Sequence, residues 1–422
     1  MTGRVATALA GGVAPLRDRR FRRLLMAMAV SALGNSGTLI ALAWLVVVEL
    51  DGGAQFSLIL AGYTVPQFVV GLIGGALADR YGTRALSQAS YVASGLTLLA
   101  MWLLGRADAL GVGALAGLVV IAGAAVALAQ PVTGAMMVSI VDERQLGPAN
   151  MLRIIAIDTA VVLGPLAAGV VIAGFHAHTW FLLDSVTFLL AAVLLPRPRR
   201  SPSDPPAGPD VRQRLADVVT GMRFVAAHFR VWTGMAAAGL GNLLITVPML
   251  VGLPTLVGSR GLSSGALGGL FASFTVGSIL GAAEAGLVSR ARPMLAALGF
   301  LLLAGVGVSL IGMRPERLML FCLAVAIGFC IAEFDVRWSA FLQGAVPREI
   351  IGRALACDAW VSFVCRTVGL STIGLVAVRQ TDGLMIACGL VMATLAAVLA
   401  VSVRSRTGID EGENHDRATA FD

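Results

Sequence analysis

Twelve stretches of this chain are each about twenty mostly apolar residues long, the length an α-helix needs to cross the hydrocarbon core of a bilayer. They run near 24–48, 54–78, 86–105, 111–136, 151–174 and 179–195, then 231–256, 264–288, 293–312, 317–340, 354–378 and 383–403. In lipid every backbone N–H and C=O needs a bond within the protein, so runs of this length form helices. An outer-membrane barrel would instead need segments of about ten residues alternating apolar and polar, and no such alternation occurs. The composition agrees: 57% hydrophobic, 13% charged and a mean hydropathy of +0.86 lie outside the usage of soluble domains. The 50 glycines suit helices that approach closely where lipid supplies no hydrophobic drive between them.

The polar, proline-rich stretch Pro196–Pro209 is unable to span, and it separates six runs from six. The expected organisation is a cytoplasmic segment 1–23, a six-helix bundle 24–195, a cytoplasmic linker 196–230, a second six-helix bundle 231–403 and a cytoplasmic tail 404–422. A shift of about 207 residues lays Met28, Leu33, Gly34 and Asn35 over Met235, Leu240, Gly241 and Asn242. A similar shift lays Val141 to Ala149 over Val346 to Ala354. The two halves therefore repeat one another, as in transporters built from related bundles.

All 31 basic residues are arginine, so the positive-inside bias reads from arginine alone. Arg17, Arg19, Arg20, Arg22, Arg23, Arg80, Arg84, Arg144, the group Arg197 to Arg223, Arg290, Arg292, Arg348, Arg353, Arg404 and Arg406 fall on one side. Arg106, Arg260, Arg314, Arg317 and Arg379 fall on the other. Both termini are expected in the cytoplasm, with no cleaved signal because the first arginine group leads straight into a span. The net charge of +7 reflects topology and contact with anionic lipid headgroups and needs no nucleic-acid partner. Cys322, Cys330, Cys357, Cys365 and Cys388 lie within spans, where they serve as small buried residues. No phosphate-binding loop is present, nor a His-Glu-x-x-His motif, and His176 and His178 are too few to form a metal site.

Between the second and third runs stands Gly75-Ala-Leu-Ala-Asp79-Arg80-Tyr-Gly82-Thr-Arg84. It resembles the signature loop of the major facilitator superfamily, Gly-x-x-x-Asp-Arg/Lys-x-Gly-x-Arg/Lys, with Thr83 where a base is commoner. The resemblance covers about Arg17 to Arg406 and is nearest to the drug and siderophore exporter branch that includes macrolide and enterobactin efflux proteins. The opening Leu16-Arg-Asp-Arg-Arg-Phe21, the turn Leu146-Gly147-Pro148-Ala149-Asn150 and the segment Val346-Pro347-Arg348-Glu349 carry that likeness. Gly164, Pro165 and Gly169 resemble the Gly-Pro motif of exporters in the family, with Ala160 replacing its first glycine. The resemblance implies an all-α integral membrane fold of twelve helices in two pseudo-symmetric six-helix bundles, and outward transport. It places Asp79 at the cytoplasmic start of the eleventh helix, near Gly352 to Leu355, where the positive end of the helix dipole favours an acid. There it latches the outward-facing state, Arg80 and Arg84 hold the turn against phosphates and acids, and Gly82 supplies an unusual backbone angle. The arginine that proton-coupled drug antiporters carry in the fourth helix is missing, since Val119 to Ala129 contains no base.

An ionisable group at mid-bilayer costs at least about 2.5 to 3.5 kcal/mol and so needs a partner, a wet cavity or a function. Asp158, two turns before Pro165, is the first candidate for a proton or substrate site; a buried acid paired to a neighbouring helix is the alternative. Glu333 and Arg337, four apart and acid first, share a face and neutralise one another or, with Asp335 on the opposite side, divide between protein and cavity. Asp358 and Arg366 lie two turns apart on the eleventh helix, too far for contact, so Arg366 holds an anionic solute, bridges to Asp158 or Asp335, or makes an interhelical ion pair. Glu284 and Asp184 read as structural. Asn35, Gln67, Gln130 and Asn242, with Trp44 and Phe68 as aromatic walls, line a cavity or bond neighbouring helices.

These observations lead to the expectation of a monomeric secondary exporter, without cofactor or metal, in a bacterial cytoplasmic membrane. It would move a hydrophobic or amphipathic small molecule by alternating access with protons as coupling ion, the acids leaning slightly towards a cationic solute. An importer or facilitator of the same fold is the alternative within transport, and a lipid-handling membrane protein the alternative outside it.

Overall fold

The computed structural model describes residues 14–50, 53–142, 145–197, 228–288, 290, 292–346 and 351–419, apart from the side chains at 53–54, 68, 71–76, 78–80, 129–132, 134–135, 138–139, 352, 356, 373–379 and 406–419. The linker expected at Pro196–Pro209 and the Arg348-Glu349 segment fall largely or wholly outside the described residues.

Among the described residues twelve long helices follow in chain order. The first six are α1 (Arg19–Glu49), α2 (Gly53–Tyr81), α3 (Thr83–Arg106), α4 (Val112–Ile140), α5 (Leu146–Gly174) and α6 (His178–Leu194). The next four are α7 (Phe229–Ser259), α8 (Ser264–Leu287), α9 (Pro293–Gly312) and α10 (Arg317–Ala345). The final run, Ile351–Thr419, breaks at Gln380, whose φ of −150° and ψ of 54° are not helical; its two spans are α11 (Arg353–Thr372) and α12 (Gln380–Ser405). Nine helices among the described residues carry a stretch long and apolar enough to cross a membrane, with shorter apolar segments at Val112–Leu128 and His178–Leu194. This is an all-helical, multi-pass membrane fold of two six-helix halves.

Local chemistry sets several boundaries. Asp18 opens α1 by accepting a hydrogen bond from the Arg20 N–H at 2.7 Å, satisfying a donor the first turn leaves unpaired. Gly82, at φ 81° and ψ 142°, separates α2 from α3, a backbone state only glycine adopts cheaply. Glu49 ends α1 and accepts the Ala177 N–H at 3.0 Å, placing an acid where the α6 dipole is positive. Pro293 starts α9, where its missing N–H costs nothing. Two helices loosen internally: α1 closes with a π-type turn at Leu45–Glu49, and α7 carries one at Asn242–Thr246.

The chain divides into two compact units, Met1–Gln213 with Val257–Ala272, and Arg214–Leu256 with Ser273–Asp422. Within the first, α1 packs on α5 and α6, α2 on α4, and α3 on α4 and α6. The second repeats this plan: Gly239 of α7 meets Val361 and Cys365 of α11, Gly281 of α8 meets the Phe329 backbone of α10, and Gly305 of α9 meets Gly389 and Ala393 of α12. With no hydrophobic drive between helices in lipid, such backbone approach is what holds each unit.

Candidate substrate site

A cavity of about 310 Å³ lies inside the first unit, walled by α1, α3, α4, α5 and α6. α1 contributes Ser31, Asn35 and Ser36, whose spacing puts them on one side of the helix. α5 contributes Arg153, Ile157 and Val161 at four-residue steps, and Tyr91, Thr133 and Phe188 complete the wall. Asn35 Oδ1 accepts the Tyr63 hydroxyl at 2.8 Å, which orients its amide. The Tyr91 and Phe188 rings are 5.9 Å apart and tilted by 50°. Ser36 donates to the Leu33 carbonyl at 3.0 Å and lies 3.3 Å from the Ala160 carbonyl. Mostly apolar walls with a few converging polar groups are the usual make-up of a small-molecule site.

Among the described wall residues Arg153 is the cation. Its Nε and one Nη donate to Asn150 Oδ1 at 3.0 and 2.9 Å, a neutral acceptor. Among the described residues no carboxylate lies within ion-pair distance of it, although the field of Asp158 reaches it. Asp158, half-buried on α5, is absent from the cavity wall, because five residues from Arg153 turn it well away around the helix. Arg153, Tyr91, Ser31, Ser36 and Thr133 join the wall without having been expected there. Arg153 was findable as the one base between 151 and 174; the hydroxyls carry no pattern that separates wall from core.

Gly164, Pro165 and Gly169 are all buried. A Cβ at Gly164 would overlap Ser36 Oγ and the Leu33 carbonyl, so α5 crosses α1 there at backbone distance. At Gly169 the carbonyl accepts the Ser264 hydroxyl at 3.1 Å. Gly82 forms the turn already described, and Arg84 sits half-buried in the first turn of α3. The side chains of Asp79, Arg80 and Gln130, and the surroundings of Gly75, lie outside the described residues.

In the second unit, Asp335 on α10 and Asp358 on α11 are close enough to feel one another's charge, and Asp358 accepts the Trp338 indole N–H at 3.0 Å. Glu333 is fully buried and bonded to Arg337 Nε at 2.6 Å. Arg337 reaches onward to Glu284 Oε2 at 2.8 Å and the Val288 carbonyl at 3.1 Å, and Glu284 Oε1 accepts from Arg290 at 2.7 Å. The structure thus pairs Glu333 with Arg337 and sets Asp335 within the field of Asp358. Asn242 donates to the Ala238 carbonyl at 3.1 Å within α7, and Arg366 is half-buried on α11. Among the described residues no three His, Cys, Asp or Glu side chains converge as a metal site requires.

The family model described as Major Facilitator Superfamily matches residues 24–370. The chain belongs to the Major Facilitator Superfamily. Curated relatives include the enterobactin exporter EntS of Escherichia coli O1:K1 / APEC, 29% identical over 324 residues, covering 72% of this chain and 70% of that protein. EntS of Shigella flexneri is 28% identical over 325 residues, with 72% and 69% covered. These relatives agree with the siderophore exporter branch. Among solved structures, a POT family transporter in complex with a thioalcohol-conjugated peptide aligns with a TM-score of 0.68 at 11% identity, over 91% of this chain and 96% of that one. The D-xylose-proton symporter aligns with a TM-score of 0.64 at 14% identity, over 88% and 96%. At such identities the likeness is one of fold. Membership makes the chain a transport protein for small molecules rather than an enzyme.

Proposed function

We propose that this transporter exports a hydrophobic or amphipathic small molecule across a bacterial cytoplasmic membrane by alternating access of its two six-helix halves. The observation that carries this is the cavity in the first unit, with Asn35 and Arg153 set among apolar walls, in a chain whose curated relatives are named exporters. The buried Gly164-Pro165 pair supports the same direction through its likeness to the exporter motif. Both termini lie in the cytoplasm in this reading, and Asp79, Arg80 and Arg84 latch and hold the loop after α2. The amides of Asn35 and Gln130 contribute to substrate contact in the first unit, and Arg366 and Asn242 supply polar groups within the second.

Proton influx drives the cycle, with Asp158 or the Asp335–Asp358 pair as proton carrier. Glu333 is the weaker carrier because Arg337 already compensates it. Everted membrane vesicles test the reading: when energised they accumulate substrate, and dissipating a gradient of one pH unit lowers accumulation about tenfold, since each pH unit is worth about 1.36 kcal/mol per coupled proton. An Asp158→Asn variant is expected to retain binding and lose gradient-driven accumulation. Accumulation only in right-side-out vesicles would make the protein an importer.

A further inference from the structure

Resting on the transport reading, we infer that the first-unit cavity selects an amphipathic organic anion, a planar aromatic ring bearing one carboxylate or comparable acid, with Arg153 as its counter-charge. The acids scattered through the spans lean the other way when read as sequence. The cavity decides differently, because among the described residues its wall includes one arginine and no acid.

Arg153 stands about two turns from the start of α5, and its bonds to Asn150 are exposed, so its guanidinium keeps its charge. Arg153 spends two of its five N–H donors on one neutral amide oxygen, Asn150 Oδ1, which solvates the charge without cancelling it. Among the described residues it has no other hydrogen-bond acceptor, so donors remain for a ligand. Asp158 reaches it only through its field and does not enter the wall. A bound carboxylate completes this arrangement with charge-assisted bonds, the strong class, and an arginine fork suits a planar acid better than an ammonium does. Beyond the charge, Tyr91 and Phe188 supply ring surfaces, while the hydroxyls of Ser31, Ser36, Tyr91 and Thr133 and the amide of Asn35 supply neutral polar contacts. A cationic solute of the same shape would meet Arg153 with like charge and, among the described wall residues, no compensating acid, which is discrimination by repulsion. The volume of about 310 Å³ lies at the lower end for drug-sized ligands, so the cavity takes one or two fused rings.

The test uses full-length protein in nanodiscs and three probes of one shape: 2-naphthoate, its neutral methyl ester and 2-naphthylmethylammonium, with affinities measured calorimetrically. The expected order is naphthoate, ester, ammonium, with naphthoate at least about tenfold tighter than the ammonium, a difference of about 1.4 kcal/mol. Arg153→Gln erases that preference, and Arg153→Lys keeps its sign with a smaller ratio, since charge survives and the fork does not. Should Arg153→Gln fail to fold, the wild-type probe series and Arg153→Lys still decide. Equal binding of the three probes by wild type overturns the inference, as does an Arg153→Gln protein, folded by its melting temperature, that retains the full preference. Everted-vesicle transport is assayed in parallel. If a neutral or cationic probe accumulates while naphthoate neither binds nor accumulates, the anion inference fails and export stands. If naphthoate binds with the expected order and nothing is transported in either vesicle orientation, the transport reading fails and the binding chemistry stands.

Discussion

Each unit buries a carboxylate completely, and the two are solvated in opposite ways. In the first, Asp184 on α6 is held by hydroxyls: Thr38 donates to Oδ2 at 2.5 Å and Thr187 to Oδ1 at 2.8 Å, with no cation in ion-pair distance among the described residues. In the second, Glu333 is fully buried beside an arginine that is itself 4% exposed, and that arginine also binds Glu284. The charges of Glu284, Arg290, Glu333 and Arg337 sum to zero, and Phe300 lies beneath both guanidinium groups, 5.3 Å from Arg290 and 6.0 Å from Arg337. The first solution depends on close helix approach, because the small residue Gly34 is what lets α1 reach Asp184. The second depends on charge balance across α8 and α10. Geometry is the vulnerable quantity in one unit and charge in the other.

The largest expected effect comes from breaking the balance. Arg337→Gln strands Glu333 without its cation and is expected to cost about 3 to 5 kcal/mol, the usual penalty for an uncompensated buried charge. The Glu333→Gln/Arg337→Gln double variant should recover more than half of that loss in detergent-solubilised thermal unfolding. Equal destabilisation of single and double variants would show that packing, not charge, governs the second unit.

Next comes the geometry of the first unit. A Cβ at position 34 would overlap the Asp184 carboxylate and the Thr187 hydroxyl, so Gly34→Ala is expected to cost about 1 to 3 kcal/mol by overpacking. Adding Asp184→Ala should relieve part of that cost, and the same thermal measurement checks it. A Gly34→Ala protein as stable as wild type would remove close approach as the basis of the contrast.

The smallest effect belongs to the rim of the ion network. Arg290 is 41% exposed in its pair with Glu284, and Arg290→Gln should cost no more than about 1 kcal/mol, as exposed pairs do. Raised salt should shrink that difference further. A loss comparable to that of Arg337→Gln would mean the network acts as one cooperative unit and not as a buried pair with an exposed neighbour.

Much of this architecture is legible in the chain itself. The third run was expected at 86–105 and the helix is Thr83–Arg106; the ninth was expected at 293–312 and is Pro293–Gly312. Hydropathy performs well here because a bilayer imposes one length and one solvent on every span. Where helices outlast the bilayer the estimate falls short: α4 continues to Ile140 and α10 to Ala345, because helix geometry does not end where apolarity does. The Glu333–Arg337 pair was also readable, from a four-residue spacing on one helix. Its extension to Glu284 was not, since that contact joins residues 53 apart in sequence.

The sequence by itself therefore determined what belongs to one segment at a time: the number and position of the spans, the repeated halves, the glycine turn at Gly82 and the family. Tertiary structure alone decided which charges meet and which face a cavity. Among the described residues it set Arg153 into a wall without an acid, kept Asp158 out of that wall, brought Asp335 within the field of Asp358, and gave Asp184 hydroxyls in place of a cation. The physical reason is that a helix span is selected by its mean interaction with lipid, summed over about twenty residues. A buried charge is stabilised by two or three atoms on other helices, and their arrival depends on rotation and crossing that hydropathy does not encode.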